Sequence, residues 1–173
     1  GLTSSDVVDT STSMQIRDVF TIIEPKVSRL ATILINRATA YRTLPAVGRT
    51  HVQHASIIAF GLKLAVWAVE MAKHIERMEE SKKRILRCKT LGVVGTGSLM
   101  GESALTVQEV VAEKLGLAPI EAATQVIPRE GHAEMQFLIA LLGSTLDKIA
   151  IEIRNLQRTE LAEVTEPFRQ GQI

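Results

Sequence analysis

Long helical stripes of apolar residues constrain the fold of this chain more than any other feature of its sequence. One stripe covers residues 16–41 in alternating steps of three and four, which is the period of an amphipathic helix. A second covers residues 135–156 with a spacing close to the heptad of packed helices. Aromatic residues make up only 3% of the chain, which is typical of a helix bundle rather than a β-sandwich. The sequence therefore predicts an all-α fold, a bundle of long helices.

Capping and breaking residues divide this bundle into three long helices and one short helix. The first is predicted to begin at a run of hydroxyl caps before Asp6 and Asp9 and to end near residue 42. Pro25 should kink or break it near residues 22–24. The others are predicted at residues 54–89, 103–115 and 130–164, with Gly116 closing the short helix and Glu166-Pro167 ending the last.

The length of these helices indicates an assembly larger than one chain. A helix of about 35 residues is about 50 Å long at 1.5 Å per residue. Three such rods cannot bury all of their apolar faces against one another, so other subunits or further parts of a longer chain should cover the rest. The chain also lacks an initiator Met. We interpret residues 1–173 as a piece of a longer protein whose apolar faces are covered within a larger, oligomeric helical core.

Charge and hydropathy exclude several classes of partner. The formal net charge is +1 with 23% charged residues, which argues against binding to nucleic acid or to an anionic membrane surface. The longest apolar region, residues 55–72, contains Lys63 and Glu70 and is not a clean membrane span. Cys88 is the only cysteine and is expected near a solvated helix end, as an inert thiol. A chain without an intrachain disulfide fits a cytoplasmic location.

A glycine-rich run at residues 91–98 has the spacing GxxGxG. In dinucleotide-binding proteins this spacing follows a strand, whereas here a long helix is predicted before it. We therefore interpret the run as a loop that ends a helix rather than as a nucleotide-binding loop.

A polar cluster at residues 48–55 contains His51 and His54 and is expected at the start of the second long helix. Helix N-termini favour anionic ligands, so the cluster suggests a site for a carboxylate or a phosphate. An imidazole there can act as a general acid near neutral pH. The alternative is that His51 caps or packs the helix and that His54 is structural. A metal site is disfavoured because no nearby Asp, Glu or Cys would complete the ligand set.

Several segments of the sequence resemble one enzyme family. They are residues 1–10 with Gly-Leu-Thr-Ser-Ser-Asp-Val-Val-Asp-Thr, residues 48–55 with Gly-Arg-Thr-His-Val-Gln-His-Ala, residues 60–63 with Phe-Gly-Leu-Lys, and the segment of Thr124, Gln125, Arg129 and residues 132–134. Taken together they are similar to the adenylosuccinate lyases of the fumarase/aspartase superfamily. The likeness covers essentially the whole chain.

The resemblance implies a lyase of purine biosynthesis that eliminates fumarate from a succinyl-purine nucleotide by C–N cleavage. In that family His51 matches the general acid, Thr3 and Ser4 match a pair that hydrogen-bonds the substrate, and Gln125 matches a substrate-binding glutamine. The serine that acts as general base would lie in a signature loop beyond residue 173. An N-terminal part and a C-terminal domain would flank the chain, so the resemblance implies that residues 1–173 are the central helical-bundle domain. The family is homotetrameric, each site is drawn from three subunits, and no cofactor or metal is implied.

Alternatives remain at this point. Argininosuccinate lyase and carboxymuconate cycloisomerase share parts of the same motifs, although the cycloisomerases often lack the histidine that His51 matches. A helical scaffold without enzymatic activity would explain the apolar stripes but not the polar clusters. Thr3 and Ser4 are also ordinary helix N-caps, and Gln125 could simply bind backbone. The turn with Arg129-Glu130-Gly131, where relatives commonly have Arg-Asp-Arg, departs from the family pattern.

Overall fold

The computed structural model describes residues 1–167 and 171, and these residues are mainly helical, which confirms the expected all-α fold class. Its elements in chain order are α1 (Ser4–Ala40), β1 (Pro45–Thr50), β2 (Gln53–Ala59), α2 (Phe60–Ile85), β3 (Arg87–Cys88), a 3₁₀ helix (Ser98–Ser103), α3 (Ala104–Leu115), β4 (Ala118–Pro119) and α4 (Glu130–Leu156). The described residues fall into two compact units, one from Gly1 to Leu138 and one that begins at Ile139.

The antiparallel pair of α1 and α2 forms the core of the first unit. Its buried apolar side chains from α1 are Phe20, Val27, Ala31 and Leu34, and those from α2 are Leu64, Trp67, Ala68, Met71, Met78 and Ile85. At one end of the pair, a Cβ on Gly61 would lie 2.3 Å from the Ala38 carbonyl oxygen, so only glycine permits this close crossing. Further along, Lys82 Nζ bridges the helices through an ion pair with Glu24, at 2.6 Å from Oε1.

α1 continues through Pro25 as one helix, so Pro25 does not break it near residues 22–24, where a kink or a break was expected. A proline inside a helix removes one backbone hydrogen bond and costs about 3 kcal/mol. Here Phe20 and Val27, which flank the proline, are both buried, while Pro25 itself is exposed. Burial of the apolar face on both sides offsets the local cost and keeps α1 in one piece.

A β-hairpin stands where the start of the second long helix was expected, so that boundary is wrong. β1 pairs antiparallel with β2, from Pro45 opposite Ala59 to Thr50 opposite Gln53. The register shifts between Val47 and Arg49, so Gly48 lies opposite a β-bulge formed by residues 55 and 56 of β2. A Cβ on Gly48 would lie 2.6 Å from the Ser56 carbonyl oxygen, which is why a glycine occupies this position.

α2 ends at Ile85 rather than at Lys89, and a short extended segment follows it. β3 pairs in parallel with β4 through Arg87 opposite Ala118 and Cys88 opposite Pro119. This pairing buries Cys88 completely, so the expectation that it lies near a solvated helix end is wrong. Burial raises the pKa of the Cys88 thiol, although its hydrogen bond with Thr10 acts in the opposite direction.

The glycine-rich run forms the loop that follows β3. Gly92, Gly95 and Gly97 all have positive φ, between 66° and 82°, which side chains rarely adopt. The Gly97 N–H donates to the Leu91 carbonyl at 2.8 Å and closes the loop. β3 separates this loop from α2, so the expectation that the run ends a helix is wrong.

The two remaining helices begin close to the residues expected from the sequence. α3 ends at Leu115 and is capped by Gly116 with φ 65°, as predicted. α4 begins at Glu130 as predicted but ends at Leu156 instead of near residue 164. The reason is a reversal of the chain, because the N–H groups of Glu163 and Val164 both donate to the Leu156 carbonyl, at 3.0 and 3.4 Å. Glu166-Pro167 therefore lies outside the helix. Among the described residues, the helices are all too short or too polar to cross a membrane.

Candidate functional site

Asp6, in the first turn of α1, organises one end of the α1–α2 pair and is only 2% exposed. Its Oδ2 accepts hydrogen bonds from the backbone N–H groups of Thr3 at 2.9 Å and Gly92 at 3.0 Å. Its Oδ1 forms an ion pair with Lys89 Nζ, which is fully buried and also donates to the Gly92 carbonyl at 2.9 Å. One cation and two N–H groups compensate the burial of this carboxylate. Asp6 thereby ties the start of α1 to the glycine loop.

Asp9, on the same face of α1, makes a parallel set of contacts to a different segment. Its Oδ2 accepts a hydrogen bond from the Ile127 N–H at 2.9 Å, and its Oδ1 pairs with Arg129 Nη1 at 2.8 Å. The Asp9 side chain is 4% exposed and the Arg129 side chain 55%. The segment that precedes α4, which carries Gln125, is therefore anchored to α1 by Asp9.

The glycine loop is packed tightly between the chain start and the Gln125 segment. A Cβ on Gly92 would lie 2.7 Å from the Gly1 carbonyl oxygen. A Cβ on Gly95 would lie 1.9 Å from the Ala123 carbonyl oxygen and 2.8 Å from that of Thr124. Neither position leaves room for a side chain, so both glycines are required by close backbone approach as well as by positive φ.

Three of the four residues predicted from the sequence to serve the site lie at this end of the molecule. Thr3 is the residue before α1 and is half-buried, whereas Ser4 and Gln125 are exposed. The contacts of Asp6 and Asp9 bring their segments together through α1. Hydroxyl, amide and backbone N–H groups near a helix N-terminus can hold a carboxylate by hydrogen bonds.

His51, the fourth predicted residue, lies at the tip of the β1–β2 hairpin and not at a helix N-terminus, which corrects the expected setting. The turn between the strands consists of His51 and Val52, with φ of 50° and 61°. Positive φ at both positions is the pattern of a type I′ hairpin turn, which normally carries Asn and Gly. A β-branched residue such as Val52 is strained there, and strain of this kind clusters at functional sites.

The hairpin exposes its side chains to an unusual degree, both at its tip and along β2. Val52 is 90% exposed and Ile57, in β2, is 78% exposed. His51 and His54 are both exposed as well, and His54 lies opposite Arg49 in the strand pairing. In residues 1–167 and 171 no three His, Cys, Asp or Glu side chains come together in a way that could hold a metal ion.

One chain does not bring His51 to the other three residues. The Leu44 carbonyl accepts from Phe60 and the Tyr41 carbonyl accepts from Gly61, which ties the hairpin base to the far end of α1 from Thr3. α1 has 37 residues and is therefore about 55 Å long. The hairpin is about 20 Å long, so even folded back along α1 it would leave His51 about 30 Å or more from Thr3.

The buried ion pairs that anchor this end of the fold were not predicted from the sequence. Asp6 and Asp9 were expected only as acidic residues in the first turn of a helix, and Lys89 as the last residue of a helix. The available signal was the spacing of Asp6, Asp9, Thr10 and Ser13, which is that of one helical face and which is buried in the structure. A polar stripe of this period predicts polar partners from other segments.

Comparisons with known proteins agree with these motifs. A family model described as Lyase matches residues 1–173. The adenylosuccinate lyase of Methanocaldococcus jannaschii is 46% identical over 97% of this chain, and that of Pyrococcus abyssi is 43% identical over all of it. The chain spans 36% and 38% of the length of these two relatives.

Solved structures share the same arrangement of helices. The fumarate lyase from Mesorhizobium sp. BNC1 superposes with a TM-score of 0.88 at 35% identity, over 96% of this chain and 39% of that one. The 3-carboxy-cis,cis-muconate lactonizing enzyme from Pseudomonas putida superposes with a TM-score of 0.89 at 32% identity, over 99% of this chain and 39% of that one. Since the family model matches from the first residue to the last, the chain belongs to this lyase family.

Proposed function

We propose that this chain is the central helical domain of an adenylosuccinate lyase, which releases fumarate from adenylosuccinate or from succinyl-aminoimidazole-carboxamide ribotide. The curated relatives named adenylosuccinate lyase reach 46% identity, whereas the muconate lactonizing enzyme is 32% identical. The observation that carries the proposal is the division of the chain into an exposed, strained hairpin with His51 and a distant end with Thr3, Ser4 and Gln125. The buried free thiol of Cys88 fits a location in the reducing cytoplasm.

The reaction assigned to the site is a β-elimination. A base removes a proton from the succinyl carbon next to the one that bears nitrogen, and the electron pair left on carbon forms the double bond of fumarate. The C–N bond breaks, and the nitrogen takes its electrons and a proton. His51 as imidazolium supplies that proton, acting as the general acid. The base is the serine that the resemblance places beyond residue 173.

The substrate-binding residues hold the succinyl-purine while these protons move. The Thr3 and Ser4 hydroxyls donate to a substrate carboxylate at the start of α1, where the helix dipole also favours negative charge. The Gln125 amide can donate and accept, and its exposure leaves it free to contact a ligand. Hydrogen bonds of this kind hold the reacting atoms in line and account for part of the rate enhancement.

Because His51 cannot reach Thr3 within one chain, the proposal requires subunits to share sites. We infer a homotetramer in which the hairpin of one subunit enters the site formed by the α1 start of another. Exposed apolar side chains support association, among them Leu62, Val66 and Val69 on α2 and Ile22 on α1, each at least half exposed. Obligate oligomers bury apolar faces of this kind between subunits.

The test compares His51→Gln with wild type in the full-length lyase that carries this chain. Turnover should fall by about 10²–10⁴, the usual contribution of a general acid, while assembly is unchanged. Fumarate release from adenylosuccinate and the size of the assembly are measured together. Lys83→Gln, at an exposed position near the end of α2, is the control and should keep near-normal turnover.

Two results would overturn the proposal. Near-normal turnover in His51→Gln would remove its role as the acid. Conversion of 3-carboxy-cis,cis-muconate without any fumarate release from adenylosuccinate would assign the chain to a cycloisomerase.

A further inference from the structure

Asp6 and Asp9 repeat one pattern of contacts on one turn of α1. Each buried carboxylate accepts a backbone N–H and pairs with a cation, and both partners come from the same short segment. For Asp9 the partners are Ile127 and Arg129, only two residues apart. Each carboxylate therefore fixes both the position and the direction of one segment, which a single contact could not do.

We propose that Asp9 and Arg129 are positioning residues that hold Gln125 in place for the substrate. Gln125 lies two residues before Ile127, whose N–H is bound by Asp9 at 2.9 Å. On the other side, the carbonyls of Ala123 and Thr124 press against Gly95. The exposed Gln125 side chain is thus carried on a backbone that is fixed at both ends. We call the Asp9–Arg129 pair the clamp. The role proposed for the clamp rests on the proposed lyase function.

The charge of the clamp explains why the arginine is needed. Asp9 is buried, so its carboxylate has lost water, and the single N–H of Ile127 leaves much of its charge uncompensated. Arg129 supplies the missing charge from the solvent side, since its own side chain is more than half exposed. Without Arg129, water or another cation would bind the Asp9 carboxylate instead. The segment between Ala123 and Ile127 would then be able to shift.

The experiment measures KM and kcat of the full-length lyase with four variants. Arg129→Ala should raise KM by about tenfold while kcat stays within about threefold, since substrate binding rather than proton transfer is disturbed. Arg129→Lys should restore most of the wild-type KM. Asp9→Asn, which can still accept from Ile127 but loses the charge, should behave like Arg129→Ala. Arg84→Ala breaks an exposed pair with Glu134 near the start of α4 and serves as the matched control with unchanged KM.

A double-variant cycle separates positioning from general stability. In a Gln125→Ala background, Arg129→Ala should raise KM by less than about twofold, because the group that it positions is already gone. A full tenfold rise in that background, or an unchanged KM in Arg129→Ala alone, would overturn the clamp while leaving the proposed function intact. A wild type that releases no fumarate would overturn the proposed function first, and with it the role of the clamp.

Discussion

At the scale of single residues, His74 couples stability to pH. It lies on the buried face of α2 between Met71 and Met78 and is 4% exposed. Burial lowers the pKa of His74 below its ordinary value of 6.5, and Arg77 lowers it further, while Glu70 acts in the opposite direction. The folded chain therefore binds this proton less readily than the unfolded chain does. Between the lowered folded pKa and pH 6.5 the unfolded state carries more protons, so the free energy of unfolding falls as the pH drops.

Replacing His74 by Leu should remove this dependence. The drop in thermal midpoint between about pH 7.5 and about pH 5.5 should be smaller in His74→Leu than in the wild type, because one proton-linked destabilisation is gone. Thermal unfolding of the full-length protein at the two pH values measures this drop in thermal midpoint. Lys83→Met, at an exposed position near the end of α2, should leave the wild-type drop unchanged. Equal drops in wild type and His74→Leu would show that His74 does not contribute.

At the scale of elements, the Asp6–Lys89 pair joins α1 to the glycine loop. Both side chains are buried, so the removal of one partner leaves the other as an isolated charge in a poorly solvated place. This differs from the surface pairs of the chain, such as Arg17 with Asp18, which contribute little to stability. The start of α1 and the loop therefore depend on each other for their positions.

Lys89→Met should lower the free energy of unfolding by about 3–5 kcal/mol, because it leaves the Asp6 carboxylate buried without its cation. Adding Asp6→Asn to this variant should recover part of the loss, since the unpaired charge is then removed. Lys83→Met, at an exposed position near the end of α2, should change stability by less than about 0.5 kcal/mol. Denaturant unfolding of the three variants measures these free energies. If Lys89→Met is as stable as Lys83→Met, the Asp6–Lys89 pair does not contribute to stability as predicted.

The elements also show where sequence reasoning succeeds and fails. Periodicity was enough for α1, because its apolar face repeats with the helical period and is buried. The end of α3 was predicted from Gly116 alone, since most of the large apolar residues of α3 are exposed. The β1–β2 hairpin was missed because His51-Val52 is not a usual turn pair, and because its strands are exposed and lack the alternation that burial imposes. The end of α4 was missed because nothing before residue 157 breaks a helix locally.

The candidate site was predictable only as separate pieces. The residue types at Thr3, His51 and Gln125 suggested chemistry, but their distances depend on the length and direction of α1. The ion pairs of Asp6 and Asp9 join residues 83 and 120 positions apart in the chain. Local patterns carry no information about partners at that separation, whereas the burial of a helical polar face would have indicated that such partners exist.

At the scale of the whole molecule, shared sites predict recovery of activity in mixed assemblies. At a substrate concentration below KM, His51→Gln should be nearly inactive alone, and Gln125→Ala should lose about tenfold in rate through its raised KM. If His51 and Gln125 of one site come from different subunits, random mixing in equal amounts gives about one site in four with both native residues. Refolding or co-expressing the two variants together and following fumarate release measures the recovery.

The control mixes His51→Gln with the double variant His51→Gln/Gln125→Ala, which can form no site with both native residues and should stay inactive. Mixed assemblies that contain both single variants in equal amounts and yet release fumarate no faster than the two variants assayed separately would contradict shared sites. Both residues would then serve one site from the same chain, and the separation of His51 from the Gln125 segment described above would be wrong.

The position of the hairpin between α1 and α2 has a consequence for the order of folding during synthesis. α1, the hairpin and α2 are consecutive, so their contacts close short loops with little loss of chain entropy and form early. They are complete once residue 85 has left the ribosome. The contact between Asp9 and Arg129 closes a loop of 120 residues and cannot form before Arg129 is synthesised. A nascent chain therefore displays the hairpin with His51 before the Gln125 segment has a fixed place.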